Sequence, residues 1–350
     1  MNFASDNGSG VPPQVLDALA RANDGAAPGY GAEPAMDRIR ASIRDIFEAP
    51  EAEVFLVATG TAANALAIAT HCPPWGAVYC HPRAHVEEDE CGAPEFYTGG
   101  AKLVLIPGDD GRIAPARLGA ALDNATPVGV HNVQRGMLSL TNLTECGTVY
   151  TPAQTAALTA EAKRHGLPVH LDGARFSNAL VAQNASPADL TWRAGVDVLC
   201  LGGTKNGLMG VEAVVMFDPA RAWEFQLRRK RGGHLFSKHR YLSAQLEAWL
   251  EDDLWLRLAR QANAMAARLE AGLNALPEAR LEHPRDGNIL FATLPRRLHQ
   301  KAMAAGARYY PWHGHDLENG DPDAPATCRL VASWSTTEAD VDSLLAAWTG

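Results

Sequence analysis

The sequence lacks several features that would place the protein in a specialised class. No apolar stretch is long enough to span a bilayer, and residues 1–6 show no basic region followed by an apolar core. The six cysteines, at positions 72, 80, 91, 146, 200 and 328, form no Cys-x-x-Cys pair. Acidic residues outnumber basic ones, 40 against 31, for a net charge of −9. We therefore expect a cytoplasmic protein with free thiols, no signal peptide, no zinc site, no nucleic-acid partner and no membrane partner.

What is present is an ordinary globular composition, with 47% hydrophobic and 20% charged residues over 350 positions. This length predicts one large domain and a smaller one. Apolar runs predict strands at 53–58, 77–80, 102–106, 137–140, 168–172 and 196–201, and helical periodicity predicts helices at 13–22, 35–47, 153–165 and 242–273. The alternation predicts an α/β large domain with a mostly parallel sheet, here placed at 35–250 after an N-terminal arm, 1–34, and before a small α+β domain, 251–350.

A lysine follows one of these strands. Lys205 comes after the apolar run 196–201 and two glycines, which allow a tight turn and leave room for a ligand. An amine in this position is placed to attack a carbonyl carbon. On these residues alone, a surface lysine on a loop is the simpler interpretation.

Two further strand ends carry polar side chains. The segment 59–61 (Thr-Gly-Thr) lies between a strand and a helix, where it would bind a phosphate or simply cap the helix. Asp172 ends the strand 168–172, and Arg175 is either its ion-pair partner or part of a ligand site. In the functional interpretation, Asp172 keeps a ring nitrogen protonated while Lys205 holds the same ring by an imine. With a phosphate loop at the same sheet edge, these roles match pyridoxal phosphate.

Other polar clusters admit competing interpretations. His81 and His85, with the acidic run 87–90, predict either a metal site, a histidine covering a cofactor ring, or a solvated acidic loop. A proline between the two histidines and the lack of a further ligand disfavour the metal site. The basic run 228–231 fits a solvated helix face or a subunit contact. Arg329, in an apolar segment, would hold either a substrate carboxylate or an internal acidic partner.

Six motifs extend the comparison from single residues to most of the chain: 3–7 (FASDN), 30–31 (YG), 59–64 (TGTAAN), 84–96 (AHVEEDECGAPEF), 170–176 (HLDGARF) and 201–207 (LGGTKNG). Together they resemble the threonine aldolases of the aspartate aminotransferase fold type, in particular the low-specificity L-threonine aldolase and phenylserine aldolase branch. The resemblance implies the fold of pyridoxal-phosphate-dependent transferases, fold type I, with a seven-stranded type of sheet in the large domain.

The resemblance also implies a role for each matching residue, with pyridoxal 5′-phosphate as cofactor. Lys205 would bind the cofactor covalently and Asp172 would pair with the pyridine nitrogen. The other implied roles are phosphate binding by Gly60, Thr61 and Thr204, stacking over the ring by His85, substrate-carboxylate binding by Ser5, Arg175 and Arg329, a place at the substrate site for Tyr30, and proximity to the substrate hydroxyl for His85, Asp89 and His131.

The family also implies an assembly, because its members are usually homotetramers, built as dimers of dimers with active sites at the tight dimer interface. Phosphate ligands can then come from the neighbouring subunit, and Arg231 and Lys238 are the candidates here. The segment 232–234 (GGH) between them departs from the version common in the wider family, which puts these contacts in doubt.

The sequence therefore predicts an aldolase that cleaves L-β-hydroxy-α-amino acids of the threonine, allo-threonine or phenylserine type to glycine and an aldehyde. His85 and His131 are the candidate bases for the β-hydroxyl proton. One alternative is a pyridoxal-phosphate-dependent β-eliminating lyase or dehydratase that releases ammonia and a keto acid. A metal-dependent hydrolase is the other, and it would use His81, His85 and the neighbouring acids.

Overall fold

The computed structural model describes residues 1–125 and 129–349. Its helices are α1 (Pro13–Ala22), α2 (Pro34–Ile46), α3 (Gly60–His71), α4 (His85–Glu88), α5 (Ala93–Thr98), α6 (Pro115–Asn124), α7 (Pro152–Arg164), α8 (Phe176–Gln183), α9 (Ala222–Arg231), α10 (Arg240–Leu250), α11 (Leu254–Asn274), α12 (Arg296–Ala304) and α13 (Glu338–Thr349). Its strands are β1 (Glu53–Val57), β2 (Gly76–Cys80), β3 (Lys102–Leu105), β4 (Gln134–Thr141), β5 (Val169–Gly173), β6 (Val198–Gly202), β7 (Glu212–Met216), β8 (Arg280–Leu281), β9 (Ile289–Pro295), β10 (Tyr310–Pro311) and β11 (Pro325–Val331).

Seven strands form the large sheet, in the order β1-β7-β6-β5-β4-β2-β3. Strands β2 to β6 run parallel to one another. Strand β7 is antiparallel to both of its neighbours, β1 and β6. A second, antiparallel sheet has the order β10-β11-β9-β8. The predicted α/β architecture, with a mostly parallel seven-stranded sheet and a smaller α+β unit, is confirmed.

Alternate residues along the central strands enter two separate cores, as the period of two of a β-strand requires. On one face, Leu199 and Leu201 of β6 pack with Trp249 of α10 and the apolar side of α2. On the other face, Val198 and Cys200 of β6 pack with the alanine-rich start of α3. Helices therefore cover both faces, which explains why the strands are continuous apolar runs.

The predicted helix 242–273 is two helices in the structure. The turn Glu251–Asp253 separates α10 from α11, and Asp252 and Asp253 have positive φ angles of 50° and 55°. After this turn, α11 and α13 pack with β9 and β11 in a third apolar cluster. The prediction of a domain boundary between residues 250 and 251 falls at the same turn, and the three predicted domain ranges stay a prediction.

Residues 2–6 contact both sheets. Phe3 is fully buried in the cluster of the small sheet. Its amide donates to the carbonyl of Arg308 at 2.7 Å, and its carbonyl accepts from the amide of Val331 at 2.8 Å. Asp6, three residues further on, is buried beside the end of the large sheet. In the described ranges, no helix is long and apolar enough to cross a membrane.

Candidate active site

The carboxyl edge of the large sheet brings six predicted site residues around one cavity. Lys205 lies in a 3-10 turn after β6, and Asp172 lies near the end of β5. The cavity has a volume of about 250 Å³. Its lining includes Gly60, Thr61, His85, Asp172, Thr204 and Lys205, together with Asn7, Thr59, Asn64 and Glu212.

The N-terminus of α3 makes its side of the cavity suited to an anion. Helix α3 begins at Gly60, and the hydroxyl of Thr59 accepts from the amide of Ala62 at 3.1 Å. Thr59 is thus a helix cap, while the amides of the first turn and the positive helix end face the cavity. Nothing lies within 4 Å of the place where a side chain at Gly60 would begin, so a phosphate can approach the backbone closely.

Thr204 and Glu212 also line the cavity. The Thr204 hydroxyl is buried near Glu212 without a well-formed hydrogen bond, and it suits a phosphate oxygen. Glu212 accepts from the amide of Gly203 at 2.8 Å. Burial raises the pKa of Glu212 to about 7, although Thr204 and the charge of Lys205 favour its ionised form. This carboxylate was missed in the sequence because its strand, β7, was not predicted.

The two glycines before Lys205 are needed because neighbouring backbone segments pack closely against them. A side chain at Gly202 would meet the Ala174 backbone at 2.3 Å, and one at Gly203 would meet the Val211 carbonyl at 2.6 Å. The expectation that these two glycines leave room for a ligand is therefore wrong: they allow neighbouring backbone segments to approach.

Asp172 lines the cavity, and in the described residues its side chain accepts hydrogen bonds from neutral donors only. Its carboxylate accepts from Asn64 Nδ2 at 3.1 Å and from the amide of Ala174 at 3.0 Å. Arg175 instead donates to Asp6, so the interpretation of Asp172 and Arg175 as a simple ion pair is wrong. A buried carboxylate with only neutral donors fits the protonated ring nitrogen of a cofactor.

His85 lies at the same cavity on the short helix α4. Its Nδ1 is 2.8 Å from Glu90 Oε1, and the Glu90 side chain is fully buried. Burial opposes a charged imidazole, but the Glu90 hydrogen bond and the charges of Asp172 and Glu145 outweigh it and raise the pKa of His85. Burial and the charge of Asp172 in turn raise the pKa of Glu90. Glu90 belongs to a motif noted in the sequence, but its role was not predicted.

The two predicted carboxylate-binding arginines retain unused donors. Arg175 donates from Nε and Nη2 to Asp6 at 2.7 and 3.0 Å, which leaves Nη1 buried without a hydrogen bond, although it forms a loose ion pair with Glu145 at 3.8 Å. Arg329 donates from Nη2 to the carbonyl of Ala4 at 3.3 Å, and its Nε is buried without a partner. Burial and the charge of Arg175 lower the pKa of Arg329. Two free cationic donors fit a carboxylate ligand.

Asp6 and Glu145 were not predicted as site residues. Burial opposes ionisation of Asp6, but Arg175 and Lys205 outweigh it and lower the pKa of the Asp6 carboxyl. Glu145 follows the end of β4, so the rule that ligands bind at the carboxyl ends of parallel strands would have found it.

Eight predicted residues do not line this cavity: Arg175 and Arg329, described above, and Ser5, Tyr30, Asp89, His131, Arg231 and Lys238. His131 is exposed and precedes the amino end of β4, at the opposite edge of the sheet from Asp172. The interpretation of His131 as a residue near the substrate hydroxyl has no support in this geometry. Of the others, Ser5 accepts from the amide of Asn7 at 3.2 Å beside the cavity, and Tyr30 is exposed with Lys230 over its ring.

Asp89, Arg231 and Lys238 are also exposed. Asp89 still acts on the site through its charge, since it is one of the acids that favour the ionised form of Arg329. Arg231 ends α9, and neither it nor Lys238 reaches the cavity of its own chain. The described residues contain no group of three or more His, Cys, Asp or Glu placed to hold a metal ion.

Comparison with known proteins agrees with the fold. Residues 2–295 match the beta-eliminating lyase family. The low-specificity L-threonine aldolase of Pseudomonas aeruginosa is 41% identical over 335 residues, which cover 95% of this chain and 93% of that protein. The threonine aldolase structure of Leishmania major is 30% identical, with a TM-score of 0.91 and coverage of 99% and 98%. The serine palmitoyltransferase of Sphingomonas wittichii, 15% identical, shares the fold with a TM-score of 0.72 over 99% of this chain and 86% of that one.

The large sheet and the structures that share it place the protein in the pyridoxal-phosphate-dependent fold type I class. Sequence identity to L-threonine aldolases over nearly the whole chain narrows the assignment from this class to one family. The chain belongs to the beta-eliminating lyase family, within its group of low-specificity L-threonine aldolases.

Proposed function

We propose that the protein is a pyridoxal-phosphate-dependent aldolase that cleaves L-β-hydroxy-α-amino acids to glycine and an aldehyde. The observation that carries this proposal is the cavity itself, in which Lys205 and Asp172 from adjacent strands meet the open N-terminus of α3. The activity named for the Pseudomonas aeruginosa relative supports the same reaction.

The cavity residues fit the cofactor group by group. The first-turn amides at Gly60 and Thr61 and the buried hydroxyl of Thr204 would hold its phosphate. Lys205 would hold its aldehyde carbon, and Asp172 would keep its ring nitrogen protonated. His85 would cover one ring face. When bound, pyridoxal phosphate accepts the electron pair of the bond that breaks at the substrate Cα.

The chain's own groups would orient the substrate and move its proton. Arg175 Nη1 and Arg329 Nε, both buried without a hydrogen bond, would bind the substrate carboxylate. This fixes the amino acid by its main-chain groups and leaves the β-substituent free to vary. His85 would then take the proton from the β-hydroxyl as the Cα–Cβ bond breaks, since it lines the cavity and its pKa is raised by the hydrogen bond to Glu90 and by the nearby carboxylates.

The test is product analysis with threonine, allo-threonine and phenylserine as substrates. We expect glycine and the matching aldehyde in equal amounts, without ammonia. Release of ammonia and a keto acid instead would identify the alternative reaction, β-elimination. Bound metal and chelator-sensitive hydrolytic activity, without visible cofactor absorption, would favour the metal-dependent hydrolase.

The assembly belongs to the same proposal. We propose a homotetramer whose paired subunits place Arg231 or Lys238 near the neighbour's cofactor phosphate, because both cations are exposed and remote from their own cavity. Light scattering coupled to gel filtration measures the subunit number, and a monomeric active enzyme would contradict the shared site. A cytoplasmic location is proposed with it, and fractionation of the source cells tests this.

A further inference from the structure

One side-chain amide lies between two buried carboxylates at the back of the cavity. Asn64 Nδ2 donates to Glu90 Oε1 at 2.8 Å and to Asp172 Oδ2 at 3.1 Å. The same Glu90 oxygen is 2.8 Å from His85 Nδ1. Glu90 thereby connects the histidine at the cavity with the aspartate of β5 through a single asparagine.

The orientation of Asn64 follows from the partner of its oxygen. Asn64 Oδ1 is 3.1 Å from His170 Nε2, and His170 Nδ1 is 2.9 Å from the hydroxyl of Ser139. Burial lowers the pKa of His170 to about 4, so this imidazole is neutral at physiological pH. With its proton on Nε2, which also lies 3.3 Å from Cys200 Sγ, His170 donates to Asn64 and accepts from Ser139, so both of its ring nitrogens have a hydrogen-bond partner. The Asn64 amino group must then face Glu90 and Asp172.

The same hydrogen-bond argument determines which nitrogen of His85 carries the proton. Glu90 Oε1 already accepts from Asn64, and a carboxylate facing an imidazole nitrogen requires a proton on that nitrogen. Nδ1 of His85 therefore carries a proton in both charge states of the ring. The remaining nitrogen, Nε2, is the atom that gains or loses a proton.

We propose that Glu90 is a positioning residue that keeps Nδ1 of His85 protonated, held in place by Asn64, so that Nε2 exchanges the proton of the substrate hydroxyl. This inference rests on the proposed function for the role of Nε2, but the Glu90–His85 pairing is independent of it. In the reaction, the hydroxyl O–H bond breaks, Nε2 receives the proton, and His85 becomes an imidazolium stabilised by Glu90.

The charged groups that act on His85 come from four segments. Glu90 follows α4, Asp172 belongs to β5, Glu145 follows β4, and Lys205 follows β6. The three carboxylates favour the imidazolium form, and Lys205 opposes it. Glu90 is the acid that makes a hydrogen bond to the ring, so its removal should change both the charge and the tautomer of His85.

The experiment is a histidine NMR titration of the cofactor-loaded protein, labelled at the imidazole nitrogens, with His85→Gln used to assign the His85 signal. In the unchanged protein, we expect the neutral ring of His85 to carry its proton on Nδ1. In Glu90→Gln, we expect a lower His85 pKa, and the matched variant Glu87→Gln, at an exposed position of α4, should leave it unchanged.

Kinetics supply a second readout. We expect Glu90→Gln to lower kcat by roughly a hundredfold with little change in KM, and to shift the acidic limb of the pH profile to lower pH. In the His85→Gln background, the same substitution should have little further effect. An Nε2-protonated tautomer in the unchanged protein, or a His85 titration unaffected by Glu90→Gln, would overturn the inference. If the titration behaves as expected but no β-hydroxy amino acid is cleaved, only the proposed function fails.

Discussion

The substitution Asp6→Asn tests the buried ion pair that ties residues 2–6 to the active site. Asp6 and Arg175 are 1% and 3% exposed, and they share two hydrogen bonds of 2.7 and 3.0 Å. Loss of one charge from a buried pair costs about 3–5 kcal/mol, because the other charge stays buried without compensation. Glu145, 3.8 Å from Arg175 Nη1, remains as a partial counter-charge. We therefore expect Asp6→Asn to lower the free energy of unfolding by about 3 kcal/mol, near the lower end of this range.

The pH dependence of this loss has a defined sign. Because the folded protein lowers the pKa of Asp6, the pair stabilises the fold above the ordinary aspartate pKa of about 3.9. That contribution disappears as the pH falls through the lowered pKa. The stability difference between the unchanged protein and Asp6→Asn should therefore be complete at neutral pH and shrink in acid.

Denaturant unfolding of the cofactor-loaded protein, followed by far-UV circular dichroism at several pH values, measures both effects. The matched control is Asp17→Asn on the exposed side of α1, which should change the free energy of unfolding by less than about 0.5 kcal/mol. Equal stability of the two variants at neutral pH would refute the assignment of Asp6 as the partner that stabilises Arg175.

Three further substitutions test other parts of the site. Lys205→Ala should abolish the visible absorption of the bound cofactor, and an unchanged absorption spectrum would exclude Lys205 as its attachment point. Thr59→Ala removes the cap of α3 and should cost about 1 kcal/mol in denaturant unfolding, whereas no loss would show that the cap bond is unimportant. Glu145→Gln removes a negative charge beside both arginines and should lower the Kd of glycine roughly tenfold by calorimetry; weaker binding would mean that Glu145 helps to hold the amino acid.

Sequence patterns predicted the helix starts and strands that depend on neighbouring residues. The start of α1 at Pro13 and the apolar run of β6 were both visible in the sequence. The break at Asp252 was missed because apolar spacing continues from Trp249 to Leu254 across it, although three consecutive acids mark the turn. Strand β7, which pairs antiparallel with β6, was not among the predicted strands, although residues 213–216 form an apolar run.

The site residues also divide into those that the sequence places and those that only the folded chain brings together. Lys205 and Asp172 could be placed together because parallel strands share a carboxyl edge. His131 was assigned by resemblance, although its position before the predicted strand 137–140 already indicated the opposite edge. The pairing of Asp6 with Arg175 joins positions 169 residues apart, and only the folded chain determines it.

The contacts of Phe3 also set an order on folding during synthesis. Phe3 is synthesised long before its backbone partners, Arg308 and Val331. Its docking place therefore does not exist until strand β11 has been made. Because Asp6 follows Phe3 so closely, Arg175 is expected to wait for its counter-charge until then. The large sheet would thus form around an unfinished site, which residues 3–6 complete only afterwards.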